Sequence, residues 1–381
     1  MNIAFLGTKG IPNNYGGFEQ FAEYLSVSLA KRGHHVTVYN PSFHPYQKME
    51  FKGVTLVKVF SPEKWIGGAA NFLYDHLCLR HALQQNYDVI YEAGYHSVAY
   101  SYKLLNVRKY KHLVLVTNMD GLEWRRSKWS SWVQKLIRKL EAIAVAESPY
   151  LISDNPGIRQ YYLDHFKRDS FYVPYGADPV YEFDKQMLLK YQVTPAGYFI
   201  LIARMEPENN IELILDAYVK ARHPLPFLVV GNYDNRFGQL MFQKFSKHAR
   251  FLGAVYDKME LDNLRHFSKA YLHGHSVGGT NPSLLEAMSC RCFILAHNNP
   301  FNRGVLGEEA VYFSQSDELQ QHFNSLESLK EGDVNRIKED NFQKIIQQYS
   351  WDEITLKHER LFKSLLKNSD QTGDSTGLTG H

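Results

Sequence analysis

Residues 270–289 read AYLHGHSVGGTNPSLLEAMS, an apolar run followed by a glycine-bearing loop and an amphipathic segment. The run Ala270–His273 predicts a buried strand, and Pro282 suits the first position of a helix. Thr280 or Asn281 can cap that helix. A strand that passes through a short glycine loop into a helix is the repeating unit of a parallel α/β sheet.

The same alternation continues on both sides of this stretch. Predicted strands lie at 2–6, 36–39, 54–59, 88–91, 113–117 and 150–153, and a second series at 198–202, 227–230, 270–273 and 292–296. Predicted helices lie at 18–31, 69–84, 129–147, 211–221, 261–267, 282–289 and 351–366. Because the pattern restarts near residue 176, we expect two doubly wound, Rossmann-like parallel-sheet domains, 1–175 and 176–350, that face a central cleft.

Length and composition fit this reading. The chain has 381 residues, of which 44% are hydrophobic, and a formal net charge of +3. The length suits two domains with their own cores, and the charge gives no support for a nucleic-acid partner. No stretch is apolar over the roughly 18 residues that a membrane-spanning helix needs, so we expect any membrane contact to be peripheral. Residues 368–381, rich in Ser, Thr, Gly and Asp, are predicted to be disordered.

The number and spacing of the cysteines indicate the redox compartment of the protein and whether it binds a metal. Cys78, Cys290 and Cys292 make neither a disulfide framework nor a four-ligand zinc set. The pair Cys290 and Cys292 lies in an apolar stretch and is predicted to be part of a core. We therefore expect a reducing, cytoplasmic compartment and no metal.

The first loop that could bind a ligand is GTKGIPNNYGGFE, residues 7–19. Gly16 and Gly17 can bring backbone amides against an anion at the start of the next helix. A structural turn is the alternative explanation of the two glycines. The loop lacks the Gly-Lys-Ser/Thr of a nucleoside-triphosphate loop and the spacing of the dinucleotide fingerprint, which disfavours a nicotinamide dehydrogenase.

Two further loops follow predicted strands of the second series. In ARMEPENN, residues 203–210, Arg204 can clamp a diphosphate, or alternatively pair with a neighbouring glutamate at the surface. In the loop of residues 274–281, free amides before the helix form a second anion site. Glu286 lies inside that helix among apolar residues, and a ribose diol would supply the partners that its carboxylate needs. The predicted donor-binding residues are Gly16, Gly17, Arg204, Glu208, Asn209, Ser276, Gly278, Gly279, Thr280, Asn281 and Glu286.

The fourth loop, NMDGLEWRRSKW, spans residues 118–129. Asp120 is expected to face the cleft, and basic residues alternate with tryptophans beyond it. Such a segment suits an anionic membrane surface or a lipid diphosphate, whereas the alternative is a solvated basic helix whose tryptophans lie in the core. The predicted acceptor and membrane residues are Trp124, Arg125, Arg126, Lys128 and Trp129.

Together these loops resemble the family-4 retaining glycosyltransferases of the GT-B fold, over nearly the whole chain to about residue 366. More narrowly, the strings PNNYGGFE, DGLEW, PENNIE and HSVGGTNP are similar to those of bacterial rhamnosyltransferases of capsule and cell-wall polysaccharide synthesis. Two positions depart from the broad family. Of its usual glutamate pair only Glu286 is present, because position 278 is Gly, and its donor-site lysine is replaced by Asn209.

The resemblance implies transfer of a hexose or deoxyhexose from a nucleoside diphosphate to an acceptor hydroxyl, with the anomeric configuration retained and no metal or cofactor. It favours dTDP-L-rhamnose over UDP-type donors, and a polyprenyl-diphosphate-linked saccharide as acceptor at the inner face of the plasma membrane. It also implies that a C-terminal helix at 351–367 returns to the first domain. The residues expected to act in catalysis are Asp120, Asp154, Tyr175 and Arg204.

Alternatives remain for individual residues and for the chain. Asp154 could instead cap a helix, and Tyr175 could pack at a hinge. A sugar-nucleotide epimerase of the same fold would turn over the donor without an acceptor. A noncatalytic sugar-nucleotide-binding protein would bind the donor and transfer nothing.

Overall fold

The computed structural model describes residues 1–14, 16–110, 113–119, 121–126 and 129–374, with the backbone alone for 369–374. The chain forms two compact units. The first unit comprises Met1–Trp124, Trp129–Tyr175 and the segment from Trp351 onward, and the second comprises Arg125–Lys128 and Gly176–Ser350.

The first unit is built on an eight-stranded sheet of order β3-β4-β2-β1-β5-β6-β7-β8. Its strands are β1 Asn2–Leu6, β2 His35–Pro41, β3 Glu50–Phe51, β4 Val54–Val59, β5 Val89–Glu92, β6 Val114–Asn118, β7 Tyr150–Ser153 and β8 Phe171–Tyr172. Its first six helices are α1 Gly17–Lys31, α2 Glu63–Ile66, α3 Ala70–Ala82, α4 Ala99–Leu104, α5 Ser131–Glu147 and α6 Pro156–Phe166. Every pairing is parallel except that of the short β3 with β4.

Helices cover both faces of this sheet. From β1, Ile3 and Phe5 enter the core that α1 closes, whereas Ala4 and Leu6 enter a second core with Tyr74 of α3. A strand buried on both faces carries a continuous apolar run, which is why residues 2–6 are uniformly apolar after Asn2.

The second unit holds a six-stranded, entirely parallel sheet of order β11-β10-β9-β12-β13-β14. Its strands are β9 Phe199–Ile202, β10 Phe227–Val230, β11 Arg250–Gly253, β12 Ala270–His273, β13 Ile294–His297 and β14 Val311–Phe313. Its helices are α7 Ile211–Ala221, α8 Arg236–Phe245, α9 Lys258–His266, α10 Pro282–Ser289, α11 Pro300–Leu306, α12 Ser316–Ser325 and α13 Glu331–Lys344. The two sheets confirm the predicted α/β class with two Rossmann-like parallel-sheet domains.

The last helix, α14 Trp351–Asp374, belongs to the first unit. Its first residue stacks on Tyr24 of α1 with ring centroids 4.7 Å apart, and Ile354 and Phe362 enter the same core as β1. Helix α14 extends into residues 368–374, which the sequence predicted to be part of a disordered tail. Residues 375–381 lie outside the described residues.

Within the part of the chain that the structure describes, no helix combines the length and the apolar character needed to cross a bilayer. The three cysteines are buried and free, as the sequence predicted for Cys290 and Cys292. Burial raises the pKa of the Cys290 thiol well above its ordinary value, and raises that of Cys292 to about 12. Both thiols are therefore protonated, unreactive core groups.

Candidate functional site

The candidate site lies at the carboxyl edge of the sheet in the second unit. The first strand of this unit, β9, has β10 on one side and β12 on the other, so the strand order reverses between β9 and β12. Ligands of open parallel sheets bind at such a reversal, outside the carboxyl ends of the strands. The loops that follow β9 and β12, residues 203–210 and 274–281, contain most of the predicted donor-binding residues.

Hydrogen bonds join these two loops directly. The amide and the hydroxyl of Ser276 donate to the carbonyl of Glu208 at 3.0 and 2.8 Å. The ring Nδ1 of His275 lies 2.9 Å from Oδ1 of Asn209. Gly274 has no room for a side chain, since a Cβ there would lie 2.0 Å from the Asn209 carbonyl oxygen. The loops therefore pack backbone against backbone.

Asn209 is a structural residue of this junction. Its side chain is buried, and its Nδ2 donates to the Arg204 carbonyl at 2.7 Å while its Oδ1 faces His275. Burial, and after it the charges of His273, Arg126 and Arg204, hold the pKa of His275 well below its ordinary value. The neutral imidazole of His275 and the neutral amide of Asn209 thus lie where the broad family named above has its donor-site lysine. The side chain of Arg204 itself is exposed.

The N-terminus of α10 is built as the sequence indicated, and Asn281 rather than Thr280 is its cap. Asn281 accepts a hydrogen bond from the Ser283 amide at 2.9 Å, and Pro282 opens the helix. Thr280 is buried. Gly278 has a φ of +130°, and a Cβ there would lie 3.0 Å from Nε2 of His275. Gly279, between Gly278 and Thr280, is half-buried.

Glu286 is half-buried on α10, and sequence reasoning missed its partner. Nη2 of Arg265, in the last turn of α9, lies 2.5 Å from Oε2 of Glu286. Arg265 is 2% exposed, whereas the Glu286 side chain is 28% exposed. No sequence signal links the two residues, because their meeting depends on how α9 packs beside α10.

In the first unit, Gly16 caps α1 and Gly17 is its first residue. The acidic side chains of this helix already bind the loop: Oε1 of Glu19 accepts the Lys9 amide at 2.8 Å, and Oε2 of Glu23 accepts the Asn13 amide at 2.7 Å. Glu19 therefore places a negative charge in the first turn of α1, at the positive helix end that the sequence offered to a ligand anion.

The remaining catalytic candidates have different surroundings. Tyr175 packs against Phe21 and Trp351, with ring centroids 5.9 and 5.1 Å away, and its hydroxyl donates to the Gly17 carbonyl at 3.3 Å. Asp154 is half-buried after β7, and the following Asn155, not Asp154, caps α6. Asp120 lies outside the described residues.

The tryptophans of the predicted acceptor and membrane segment differ in how far they are exposed. Trp124 is half-buried under the Arg138 guanidinium, which lies 5.1 Å from its ring. Trp129 is 36% exposed and donates to Glu123 at 3.0 Å, whereas Trp132 on α5 is 71% exposed. The tryptophans are thus neither all in the core nor all at the surface.

The basic residues of the same segment also differ in their exposure and in their neighbours. Arg125 is exposed, and Lys128 lies outside the described residues. Arg126 belongs to the second unit, where its Nη1 lies 3.9 Å from Oε1 of Glu208 and its side chain is 15% exposed. This position differs from the prediction, which grouped Arg126 with the surface residues.

Two features of the first unit were not anticipated. Trp65 and Ile66, at the end of α2, are 76% and 55% exposed, which places large apolar side chains at the surface. Asp75 and Glu92 are buried carboxyls. Burial raises the pKa of Asp75 to about 6, against a hydrogen bond from Ser97 that lowers it. Over the described residues, no three His, Cys, Asp or Glu side chains meet in a way that could hold a metal.

Comparison with known proteins identifies the second unit. Residues 192–344 match the family described as Glycosyl transferases group 1. They form a glycosyltransferase group 1 domain. Residues 1–178 match a second family, described only as Domain of unknown function (DUF1972).

Proteins of known structure or sequence that resemble this chain agree with its fold. O-antigen chain mannosyltransferase B of Escherichia coli is 25% identical over 190 residues, which are 47% of this chain and 49% of that protein. The chain thus matches about half the length of this curated relative. A sucrose-phosphate synthase of Thermosynechococcus elongatus aligns over 96% of this chain and 99% of its own, with a TM-score of 0.77 and 14% identity. HepE of Anabaena, solved in complex with UDP, covers 96% and 100% with a TM-score of 0.72 and 14% identity.

These structural neighbours are GT-B glycosyltransferases, so the fold of this chain is the GT-B fold. The glycosyltransferase domain contains Arg204, Glu208, Asn209 and all the candidates from Ser276 to Glu286. The first family match contains Gly16, Gly17, Asp120, Asp154 and Tyr175.

Proposed function

We propose that the chain is a retaining glycosyltransferase that moves a hexose or deoxyhexose from a nucleoside diphosphate to an acceptor hydroxyl in bacterial polysaccharide synthesis. The observation that carries this proposal is the junction of the loops after β9 and β12 inside a glycosyltransferase group 1 domain. That junction places the exposed Arg204 and the capped N-terminus of α10 at the reversal of strand order.

Each part of this site has a role in the proposed reaction. Glu286 accepts hydrogen bonds from the pentose of the donor. Arg204 and the amides at the start of α10 stabilise the diphosphate, whose negative charge increases as the glycosidic bond breaks. Because this charge is larger in the transition state than in the bound donor, these groups lower the barrier and do not merely hold the substrate.

The proposed donor is dTDP-L-rhamnose, which rests on the four strings similar to bacterial rhamnosyltransferases. UDP-type donors are the second candidate, since HepE of Anabaena was solved with UDP and with UDP-glucose. The E. coli relative is named a mannosyltransferase, so the proposal keeps hexoses open as well as deoxyhexoses.

The proposed acceptor is a polyprenyl-diphosphate-linked saccharide at the inner face of the plasma membrane. Support comes from α5, where Trp132 is exposed and stands near the exposed Lys135 and Lys139. Tryptophan rings and lysines on one helix suit the interface of an anionic bilayer. We propose that Asp120 orients or deprotonates the acceptor hydroxyl.

A donor screen with purified protein and a bacterial membrane lipid extract tests this function. Each sugar nucleotide is supplied with and without the extract, and both nucleotide release and labelled lipid-linked saccharide are measured. We expect release and labelled product only with the extract, and less of both for Glu286→Gln at a donor concentration below the wild-type KM. Turnover without extract would instead indicate an epimerase, and tight donor binding without transfer to any lipid would indicate a noncatalytic binding protein.

A further inference from the structure

A cluster of apolar side chains lies at the surface around α2, between the end of β4 and the first turn of α3. Its five members are each between 40% and 76% exposed: Phe60, Trp65, Ile66, Phe72 and Leu73. We call them the α2 patch. No other stretch of similar length among the described residues exposes more than two large apolar side chains. Single exposed apolar residues are ordinary, whereas a cluster of them marks a surface that contacts a partner or a membrane.

The patch is built on a turn that projects from the domain. The amides of Trp65 and Ile66 both donate to the Pro62 carbonyl, at 2.9 and 3.2 Å, and close one helical turn. Gly67 and Gly68 follow, and a Cβ on either would meet no heavy atom of the described residues within 4 Å. A projecting apolar turn can enter the fluid interior of a bilayer, whereas a protein partner would need a hollow of matching shape.

The charges of the turn suit a bilayer as well. Glu63 is the one acidic residue of the stretch 60–73, and it pairs with Nζ of Lys9. Lys64 is exposed and has no ion pair among the described residues. The patch therefore presents a cation and no unpaired carboxylate to an anionic leaflet. A lysine beside a tryptophan is typical of segments at the membrane interface, where the ring lies at headgroup level and the cation meets phosphates.

The patch lies at the same edge of the first sheet as an acceptor candidate. The turn of α2 follows the carboxyl end of β4, and Asp154 follows that of β7. These strands run in the same direction, so both ends lie at one edge of the sheet. Lys9, in the loop after β1, pairs with Glu63 of α2 and donates to Oδ1 of Asn71 in α3 at 2.7 Å. The patch is thus held against the loop of residues 7–19.

We propose that the α2 patch inserts into the hydrocarbon region of a phospholipid bilayer, with Trp65 and Ile66 deepest and Lys64 at the phosphates. This inference rests on the membrane-bound acceptor of the proposed function. The exposed lysines of α5 attract the protein to an anionic leaflet, and the patch then holds it by burial of apolar surface, which salt does not screen. Insertion brings the carboxyl edge of the first sheet against the lipid surface, where the acceptor headgroup lies.

Flotation at two salt concentrations separates insertion from electrostatic attraction. Protein is mixed with vesicles of phosphatidylglycerol and phosphatidylcholine at low salt and in about 1 M NaCl, where the screening length falls to about 3 Å. We expect the wild type to stay bound in high salt. The vesicle partition coefficient of Trp65→Ser with Ile66→Ser should be lower by about tenfold or more in high salt, because two large apolar side chains are no longer buried.

The matched control is Leu189→Ser with Met259→Ser. These side chains of the second unit are 76% and 65% exposed, so the double variant removes similar apolar surface elsewhere. It should bind as the wild type does at both salt concentrations. Complete release of the wild type in high salt, or an equal loss for both double variants, would overturn the proposal.

Fluorescence quenching identifies the inserted residue. Lipids brominated on their acyl chains quench a tryptophan that reaches the hydrocarbon region. Trp65→Phe keeps a large apolar side chain in the turn, so it should bind vesicles as the wild type does but lose most of the quenching. Trp132→Phe, which removes the exposed tryptophan of α5, should retain it. Quenching that persists in Trp65→Phe and disappears in Trp132→Phe would place α5 in the bilayer and contradict the insertion of α2.

A second copy of the chain is the alternative occupant of the patch. If light scattering shows that Trp65→Ser with Ile66→Ser turns a wild-type dimer into a monomer while high-salt vesicle binding is unchanged, the patch joins two copies and the proposal is wrong. Vesicle binding needs neither donor nor acceptor, so failure of insertion leaves the donor screen to be judged alone. Insertion without transfer of sugar to any lipid would contradict the proposed function and leave this membrane contact standing.

Discussion

The Ser276 hydroxyl donates to the backbone carbonyl of Glu208 over 2.8 Å, and the Ser276 amide donates to the same oxygen over 3.0 Å. This double contact ties the loop after β12 to the loop after β9. The contact restrains the loop that contains Arg204 and the loop that leads into α10 relative to each other. The predictions for the donor site depend on this restraint.

Glu286→Gln should weaken nucleotide binding by about 1–3 kcal/mol, because it removes a charged hydrogen-bond acceptor and leaves its partner Arg265 buried. Isothermal titration with UDP and dTDP measures the change. Glu308→Gln, at a side chain that is 90% exposed, is the matched control and should bind as the wild type does. Equal affinities for both variants, with circular dichroism unchanged, would remove Glu286 from the donor site.

Arg204→Ala should lower kcat by about 10²-fold as well as reduce donor affinity, since the diphosphate charge that it meets increases in the transition state. Steady-state kinetics with saturating donor separate the two effects. Arg360→Ala, at an exposed arginine of α14, is the control. A rise in KM with an unchanged kcat would show that Arg204 binds donor and transition state equally.

Asp120→Asn should reduce transfer by about 10²–10⁴-fold if this carboxylate takes the proton of the acceptor hydroxyl. Donor affinity should stay at the wild-type level, because the amide retains the size of the side chain. Single-turnover transfer and nucleotide titration on the same preparation supply the two measurements. Near-normal transfer would make Asp120 a loop residue without a catalytic role.

Asp75→Asn should change how stability depends on pH. The native carboxyl has a pKa of about 6, above its ordinary value of 3.8, because burial disfavours its charge. Between these values the native state binds more protons than the unfolded state, so the stabilisation present below pH 3.8 is lost as pH rises through 6. The loss is about 3 kcal/mol.

Urea unfolding of wild type and Asp75→Asn at pH 4 and pH 7 measures this effect. The stability of the variant relative to wild type should improve by up to about 3 kcal/mol between the two pH values. Asp164→Asn, at an exposed aspartate of α6, should show no such change. Parallel pH profiles for Asp75→Asn and wild type would mean that folding does not raise the pKa of Asp75.

Substitution of the exposed face of α5 should weaken binding to anionic vesicles. Each lysine near an anionic leaflet contributes about 1 kcal/mol, and salt screens the attraction. The triple variant Trp132→Ser, Lys135→Gln, Lys139→Gln should therefore float poorly with phosphatidylglycerol liposomes. Lys247→Gln with Lys330→Gln, two exposed lysines of the second unit, is the charge control.

Trp65→Ser tests another exposed tryptophan of the first unit in the same flotation assay. If only this variant loses binding, α2 rather than α5 contacts the membrane. Wild-type recovery that is equal with neutral and anionic vesicles, or absent with both, would contradict peripheral binding through a basic surface.

Each predicted strand ends within two residues of an observed one, both where the strand is fully buried, as in β10, and where it is partly exposed, as in β4. Strands β1, β10 and β12 begin and end at the predicted residues. Helix α8 was missed because Gly238 interrupts its pattern. That glycine serves close packing, since a Cβ there would lie 2.6 Å from Cα of Tyr233.

Some residues of the candidate site could be predicted from the sequence and others could not. Loop positions such as Ser276 and Asn281 follow strand ends, so the chain order indicates them. The role of Arg265 could not be predicted, because its contact with Glu286 arises from the side-by-side packing of two helices. The hydrophobic periodicity of a sequence does not show which side chains of neighbouring helices meet. Arg126 was assigned to the surface for a related reason: composition shows its charge but not its neighbour Glu208.

Gly278 limits how this site can be altered. Its φ of +130° strains any side chain, and its missing Cβ would lie 3.0 Å from the imidazole of His275, which also bonds to Asn209. An engineer who wants a second carboxylate at position 278 must therefore remake His275 and Asn209 together with it. The three positions are therefore coupled, and a substitution at one of them has to be designed together with the other two.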